Sequence, residues 1–165
     1  HFIPLGRYLE RVYATATLLE VFQAHHASVP EREFSGYHYL DQVGLLRYCT
    51  AFEAYCQVCT GDVTTEKILE FLLLNRQFPH AIRYSVECIS HSIQAIGASG
   101  SRRSPGELLA CVGRLDAMLG YTTIAEVLRG GATPFLRSIR QQSLLIHNLI
   151  YSHYVHYSIQ SALSA

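Results

Sequence analysis

Charged side chains are scarce in this sequence, and neither sign is in excess. Asp, Glu, Lys and Arg make up 16% of the 165 residues, with 13 basic and 13 acidic side chains and a net charge of zero. An ordinary soluble domain carries about 25% charged residues. The balance argues against a nucleic-acid partner, because proteins that bind nucleic acids usually show a basic excess or stripe. The shortage predicts that a partner subunit, or another part of the same protein, covers some of the surface.

Long apolar runs are missing as well, and so is a framework of paired cysteines. Runs such as ILEFLLL fall far short of the ~20 residues that span a membrane, so no membrane partner is expected. Five cysteines are an odd number, which favours reduced thiols in a cytoplasmic protein. The chain begins at His1, directly before an amphipathic segment, and this start suggests a fragment of a longer protein.

Helical periodicity runs through the whole sequence, whereas no segment alternates as a strand would. The pattern predicts an all-α fold, a bundle of about six to seven helices that forms a single domain over residues 1–165. The linker GASGSRRSPG, with Arg102 and Arg103, separates the fourth helix from the fifth. The predicted helices run from about Leu5 to His25, Leu40 to Cys59, Thr64 to Leu74, Pro79 to Ile96, Glu107 to Leu119, through TTIAEVL, and Pro134 to Ser158.

The first helix carries three charges within about one turn: Arg7, Glu10 and Arg11. At a spacing of three residues, Glu10 can pair with Arg7 on the helix surface. One interpretation is therefore a structural network of the three side chains. The other is an arginine pair that binds a phosphate or carboxylate, which the planar guanidinium group suits.

The fourth helix places His80, Arg83, Glu87 and His91 on one face, at spacings of three, four and four residues. This face is either a solvated polar surface or a site for an anion or peptide that uses His80 and Arg83. Glu87 and His91 have the spacing of two metal ligands, but zinc needs three or four. Nothing nearby in the sequence supplies the others, so no metal is predicted.

Two further segments favour packing over chemistry. CQVC has the spacing of a redox motif, but Cys56 and Cys59 come late in a predicted helix, where no helix N-terminus stabilises a thiolate. In HNLIYSHYVHYSIQ, His147, Tyr151 and Tyr154 share a face that is typical of core or interface packing. The sequence has no Gly-x-Ser-x-Gly and no phosphate-binding loop. Catalytic residues therefore stay unknown, and no cofactor is predicted.

Three segments in order resemble the alpha-E domain family, a helical family with a Glu-Arg motif. They are LGRYLERVYATATLLEV, LLRYCTAFEAY and FLLLNRQFPHAIRYSVECI, and the first contains the pair Glu10-Arg11. The resemblance implies a protein of two related halves, of which this chain is similar to the second. Tyr13 and Thr17 depart from the family pattern, which has an acidic or polar residue and a later arginine there.

The resemblance implies a functional setting and no particular reaction. Members of the family are encoded beside, or fused to, circularly permuted ATP-grasp ligases and transglutaminase-like peptidases. An accessory module of a peptide or amide-bond ligation system is the first hypothesis, with ATP entering only through the partner. Arg7, Glu10 and Arg11 would then bind that partner or a peptide, with Arg83 facing the same groove.

Two alternatives stay open. One is an enzyme component, a transferase or ligase with a site between two helical halves, where His80, Arg83 and Glu87 would be tested first. The other is a structural bundle that dimerises, with a second copy or a preceding half of the same protein as the partner.

Overall fold

The computed structural model describes residues 1–27, 35–59, 62–98 and 106–155. Within these ranges the chain forms eight α-helices and no strand, so the all-α prediction is confirmed with one helix more than expected. A π-helical turn, Tyr151–Val155, follows the last helix. The helices are α1 (Phe2–Ala27), α2 (Ser35–Tyr48), α3 (Phe52–Val58), α4 (Thr65–Leu74), α5 (Ile82–Ala98), α6 (Gly106–Tyr121), α7 (Ile124–Gly130) and α8 (Ala132–Ile150).

Helix α1 lies at the centre of the fold, between α5 and α8, and α6 packs on both of those helices. Its predicted stripe is the buried face, with five side chains at most 6% exposed: Leu5, Leu9, Val12, Ala16 and Leu19. The isoleucine-rich stripe of α5 is buried as well, at 7% exposure or less. Helices α2, α3, α4 and α7 flank this core, with α4 packed on α5. The helical spacing of apolar residues thus places the core correctly.

The extra helix arises because the segment predicted as one helix from Leu40 to Cys59 is broken at Thr50. The amide of Thr50 donates to the Arg47 carbonyl at 3.0 Å, and that of Ala51 donates to the Leu46 carbonyl at 2.8 Å. These two bonds are the Schellman pattern that ends a helix, with Thr50 at a φ of 51°. Glycine normally occupies this position, so a threonine here does not signal the break.

The other helix boundaries follow recognisable caps. Thr64 accepts a hydrogen bond from the Lys67 amide at the start of α4, and Thr123 forms a capping box with Glu126 at the start of α7. Gly131, at a φ of 91°, separates α7 from α8. Pro79 and His80 were predicted to lie in the helix. They lie in the preceding turn instead, because α5 begins at Ile82.

Two predicted features extend beyond the described residues. The last helix was expected to reach Ser158, but α8 ends at Ile150, and residues 156–158 lie outside the described ranges. Arg102 and Arg103 of the linker lie outside them too. In the described ranges, no single helix has the length and apolar composition of a membrane span. Helices α6 and α7 have the required length and apolar composition only when they are taken together, and a bend of 102° separates them.

An ion-pair cluster fastens α1 to α8. Glu20 accepts a hydrogen bond from Arg137 Nε at 3.2 Å, and Arg140 Nη1 lies 3.1 Å from its other oxygen. The Glu20 side chain is 12% exposed. At the opposite end of α1, Phe2 meets Tyr154 edge to face at 5.1 Å between ring centroids, so α1 and α8 run antiparallel.

We expect Glu20→Gln to lower the free energy of unfolding by about 1–2 kcal/mol, because two guanidinium groups lose their shared carboxylate. Urea unfolding monitored by circular dichroism measures the change. The matched control is Glu10→Gln on the same helix, since Glu10 is exposed and makes no ion pair within the described ranges. Equal effects of the two substitutions would contradict this account of the α1–α8 contact.

Candidate functional site

Arg11 is bonded to a different segment and not to Arg7 or Glu10, the charged residues beside it in the motif. Its Nη1 donates a hydrogen bond to the carbonyl of Pro79 at 2.9 Å, and its guanidinium carbon lies 5.5 Å from the centroid of the Tyr8 ring. Arg7 and Glu10 are exposed, and neither forms an ion pair with any residue that the structure describes. The predicted pairing of Glu10 with Arg7 is therefore wrong, and Arg11 alone of the three anchors another segment.

The turn that receives Arg11 is shaped by Asn75. Its side-chain oxygen accepts hydrogen bonds from the amides of Gln77 and Phe78, both at 2.8 Å. An asparagine that bonds its own following backbone in this way fixes a turn locally. The turn presents the Pro79 carbonyl to α1 and places His80 against the corner between α2 and α3.

His80 closes the contact with that corner. Its Nδ1 lies 2.9 Å from Thr50 Oγ1 and 3.1 Å from the Cys49 carbonyl oxygen. The hydroxyl of Thr50 donates to the Cys49 carbonyl at 2.7 Å. Because that bond uses the only hydroxyl hydrogen, Thr50 Oγ1 must accept from His80, and we assign the proton of the neutral ring to Nδ1. Burial and the nearby charge of Arg11 both lower the pKa of His80.

Thr50 is the strained member of this arrangement. A positive φ is unusual for a residue with a β-branched side chain, and such conformations cost on the order of 1–3 kcal/mol. The Schellman bonds and the His80 contact hold it in place. We refer to Arg11, Pro79, His80, Cys49 and Thr50 as the junction. The junction joins α1, the entry to α5 and the α2–α3 corner.

Arg83 and Glu87, which were predicted on one face with His80, lie on α5 and form a second cluster with Arg76. Glu87 Oε1 accepts a hydrogen bond from Arg76 Nε at 2.9 Å and lies 3.5 Å from Arg83 Nε. Arg83 lines an open groove of about 570 Å³ between α4 and α7, whose lining contains none of the three motif residues. The expectation that Arg83 and the α1 motif face one groove is therefore not met. His91 is exposed.

Metal and thiol chemistry find little support in this part of the molecule. No group of three or more His, Cys, Asp or Glu side chains within the described ranges is placed to hold a metal ion. Cys56 and Cys59 are free and lie at the C-terminal end of α3, not at a helix N-terminus. Burial raises the pKa of Cys49 to about 11, which keeps that thiol protonated.

A second groove, of about 280 Å³, lies between the C-terminal half of α1 and α2. Its lining includes Leu18, Phe22 and Leu45, with the exposed side chains of Val21 and Tyr48 beside them. Gly44 leaves open space in this wall, because a Cβ at that position would have no atom within 4 Å. The sequence did not indicate this groove, because its walls come from two helices whose residues are distant in the chain.

The fold and the junction define an all-helical protein in which the arginine of a Glu-Arg pair ties the first helix to the rest of the bundle. The chain belongs to the Alpha-E family, whose model, described as a predicted alpha-helical domain with a conserved ER motif, matches residues 1–155. No match was found among curated proteins or among solved structures. The pair that resembles the family motif is Glu10-Arg11, and within the described ranges only its arginine has a hydrogen bond or ion pair to another segment.

Replacing Arg11 should destabilise the fold. We expect Arg11→Met to lower the free energy of unfolding by about 1–2 kcal/mol, because the Pro79 carbonyl loses a charged donor. Arg7→Met, at an exposed position of the same helix, should change it by less than about 0.5 kcal/mol. Urea unfolding of both variants provides the measurement. If Arg11→Met were as stable as Arg7→Met, the junction would not be a structural contact.

The junction should also make stability depend on pH. Folding lowers the pKa of His80 below its unfolded value of 6.5, so the unfolded chain binds more protons as the pH falls. Stability should therefore be highest above pH 6.5 and decline toward pH 5. His26 adds to this decline, because burial and the neighbouring His38 lower its pKa too.

His80→Asn tests the contribution of the junction, because the asparagine amide can still donate from the position of Nδ1 but does not titrate. We expect this variant to lose less stability than the wild type between pH 7 and pH 5. Thermal melts at several pH values measure the difference. Identical pH profiles for the two proteins would contradict the assignment.

Proposed function

We propose that this protein is a binding module of an ATP-grasp-linked peptide or amide-bond ligation system and that it acts in the cytoplasm. Its task is to hold the ligase, which supplies ATP and carries out the chemistry. Two observations support the proposal: membership of the Alpha-E family and the resemblance that associates this family with circularly permuted ATP-grasp proteins. The free cysteines in the described ranges agree with a reducing compartment.

The observation that carries the proposal is the apolar groove between α1 and α2. Val21 is 61% exposed and Tyr48 is 80% exposed, and both side chains line this groove together with Leu18 and Phe22. Continuous apolar surface of this kind on a soluble domain marks a binding site more often than isolated exposed residues do. A partner helix that inserts apolar side chains at intervals of three and four residues suits such a groove.

The charged side chains support the same interpretation. In this charge-poor chain, Arg11 and Glu20 are engaged between helices, and Glu87 is shared by two arginines. Groups held in this way maintain the fold and are poorly placed to move protons during a reaction. Recognition of the ligase therefore falls to the apolar surface, with a polar rim formed by His25 and Asp41.

The test is binding of the full-length protein to the ATP-grasp ligase encoded beside it, measured by calorimetry with purified components. Gly44→Gln should weaken this binding about tenfold or more, since the new side chain occupies the groove. Gly113→Gln is the matched control, because Gly113 is also an exposed helical glycine with nothing within 4 Å of a Cβ. Both substitutions replace a helical glycine and should raise helix stability slightly.

Each contrary outcome contradicts a different part of the proposal. If the wild-type protein does not bind the ligase, the accessory role is wrong. If Gly44→Gln binds as tightly as Gly113→Gln, the ligase docks elsewhere. If Gly44→Gln instead converts a stable homodimer to a monomer, the groove serves self-association, as the dimerisation alternative expects.

A further inference from the structure

The groove between α4 and α7 combines an apolar wall with an incompletely paired cation. Phe71, Leu74 and Ile124 supply apolar surface, while Lys67, Glu70 and Arg83 supply charge. The groove encloses about 570 Å³ and opens to solvent. This volume lies within the range of small-molecule sites, which are mostly apolar with a few polar groups that orient the ligand.

Arg83 is the side chain that distinguishes this groove. It is 20% exposed, and its Nε is buried without a hydrogen-bond partner among the described residues. The nearest acidic atom, Glu87 Oε1, is 3.5 Å away and already accepts a hydrogen bond from Arg76 at 2.9 Å. One carboxylate is thus shared by two guanidinium groups, which leaves Arg83 incompletely paired. A ligand carboxylate in the groove would give this guanidinium group a second acidic partner.

The charges in and beside the groove limit what that ligand can be. Lys67 and Arg83 attract an anion, whereas Glu70 lines the same groove and Glu87 lies beside Arg83. With Arg76, which pairs with Glu87, three cations lie beside two carboxylates, so a single carboxylate balances the charge. A phosphate that carries two negative charges would exceed this balance and be repelled by both carboxylates. The planar guanidinium group pairs with a carboxylate through two parallel hydrogen bonds.

We propose that the α4–α7 groove binds an α-carboxylate that carries an apolar side chain, with Arg83 paired to the carboxylate and the side chain against Phe71 and Leu74. Such a group is found at the C-terminus of a peptide and in a free apolar amino acid. The inference rests on the proposed function in one respect, since it names the substrate class that a ligation module would hold. The groove itself needs no ligase to bind.

The experiment is a titration of the isolated protein, followed by ¹H–¹⁵N correlation spectra that include the Nε–H signal of Arg83. Three probes distinguish the possible ligands. N-acetyl-L-leucine represents a peptide C-terminus, L-leucine is a free amino acid, and L-leucinamide has no carboxylate. We expect the first to shift the Arg83 signal with a dissociation constant on the order of 1–10 mM, and leucinamide to bind at least tenfold more weakly. Binding of N-acetyl-L-leucine assigns the site to a peptide terminus, and binding of L-leucine alone assigns it to a free amino acid.

Variants then test the role of Arg83. Because these variants lack the Arg83 Nε–H group, their titrations are followed by the backbone amide signals of the groove residues. Arg83→Gln should abolish binding, and Arg83→Lys should weaken it about tenfold, because an ammonium group cannot form the paired bonds. Glu87→Gln should strengthen binding several-fold, since it removes the competing carboxylate, an effect that a purely structural role for Glu87 would not produce. Lys67→Gln, at an exposed position, should weaken binding without affecting the fold.

The control is Arg114→Gln, an exposed arginine of α6 that does not line the groove and should leave the titration unchanged. Equal binding of leucinamide and N-acetyl-L-leucine would overturn the proposal, as would an unchanged affinity in both Glu87→Gln and Lys67→Gln. Because no ligase is present, failure here leaves the docking result at the α1–α2 groove untouched. Failure of ligase docking likewise leaves this titration valid.

Discussion

The hydrogen bond from Arg11 to the Pro79 carbonyl spans 68 positions of the chain and connects the central helix to the turn before α5. The next residue of that turn, His80, holds Thr50 at the corner between α2 and α3. Three segments that would otherwise meet only through apolar packing are thereby fixed by directional bonds. This corner ends α2, which forms one wall of the apolar groove beside α1. The arginine of the Glu-Arg pair thus contacts the turn before α5, whose His80 contacts the corner that ends α2.

Charged side chains are scarce in this molecule, and two partly buried acidic ones lie in ion pairs. The partly buried acidic side chains Glu20 and Glu87 each lie beside two arginines. Buried charges are stable only when paired in this way. Large apolar side chains such as Ile3, Tyr48 and Tyr121 stay at least 80% exposed. The ion pairs of Glu20 link α1 to α8, while these large apolar side chains stay at the surface.

The sequence was a good guide to whatever repeats along a single helix. The buried stripes of α1 and α5 and the cap at Thr64 follow from local spacing and local hydrogen bonds. Contacts between distant segments could not be predicted. No residue near Glu20 signals its ion pair with Arg137, and none near Arg11 signals its hydrogen bond to Pro79. The break at Thr50 was invisible for another reason, since a threonine occupies a position that glycine normally marks. Both Arg11 and His80 were predicted as site residues, but their joint structural role emerged only from the fold.

The most direct test of this account is a double-mutant cycle between Arg11→Met and His80→Ala, measured by urea unfolding at pH 8, where His80 is neutral. If both residues hold the same turn, losing one should reduce the cost of losing the other. We expect the sum of the two single losses in unfolding free energy to exceed the loss in the double variant by about 0.5–1.5 kcal/mol. Effects that add within about 0.3 kcal/mol would show that the two contacts are independent and would contradict the junction as a single unit.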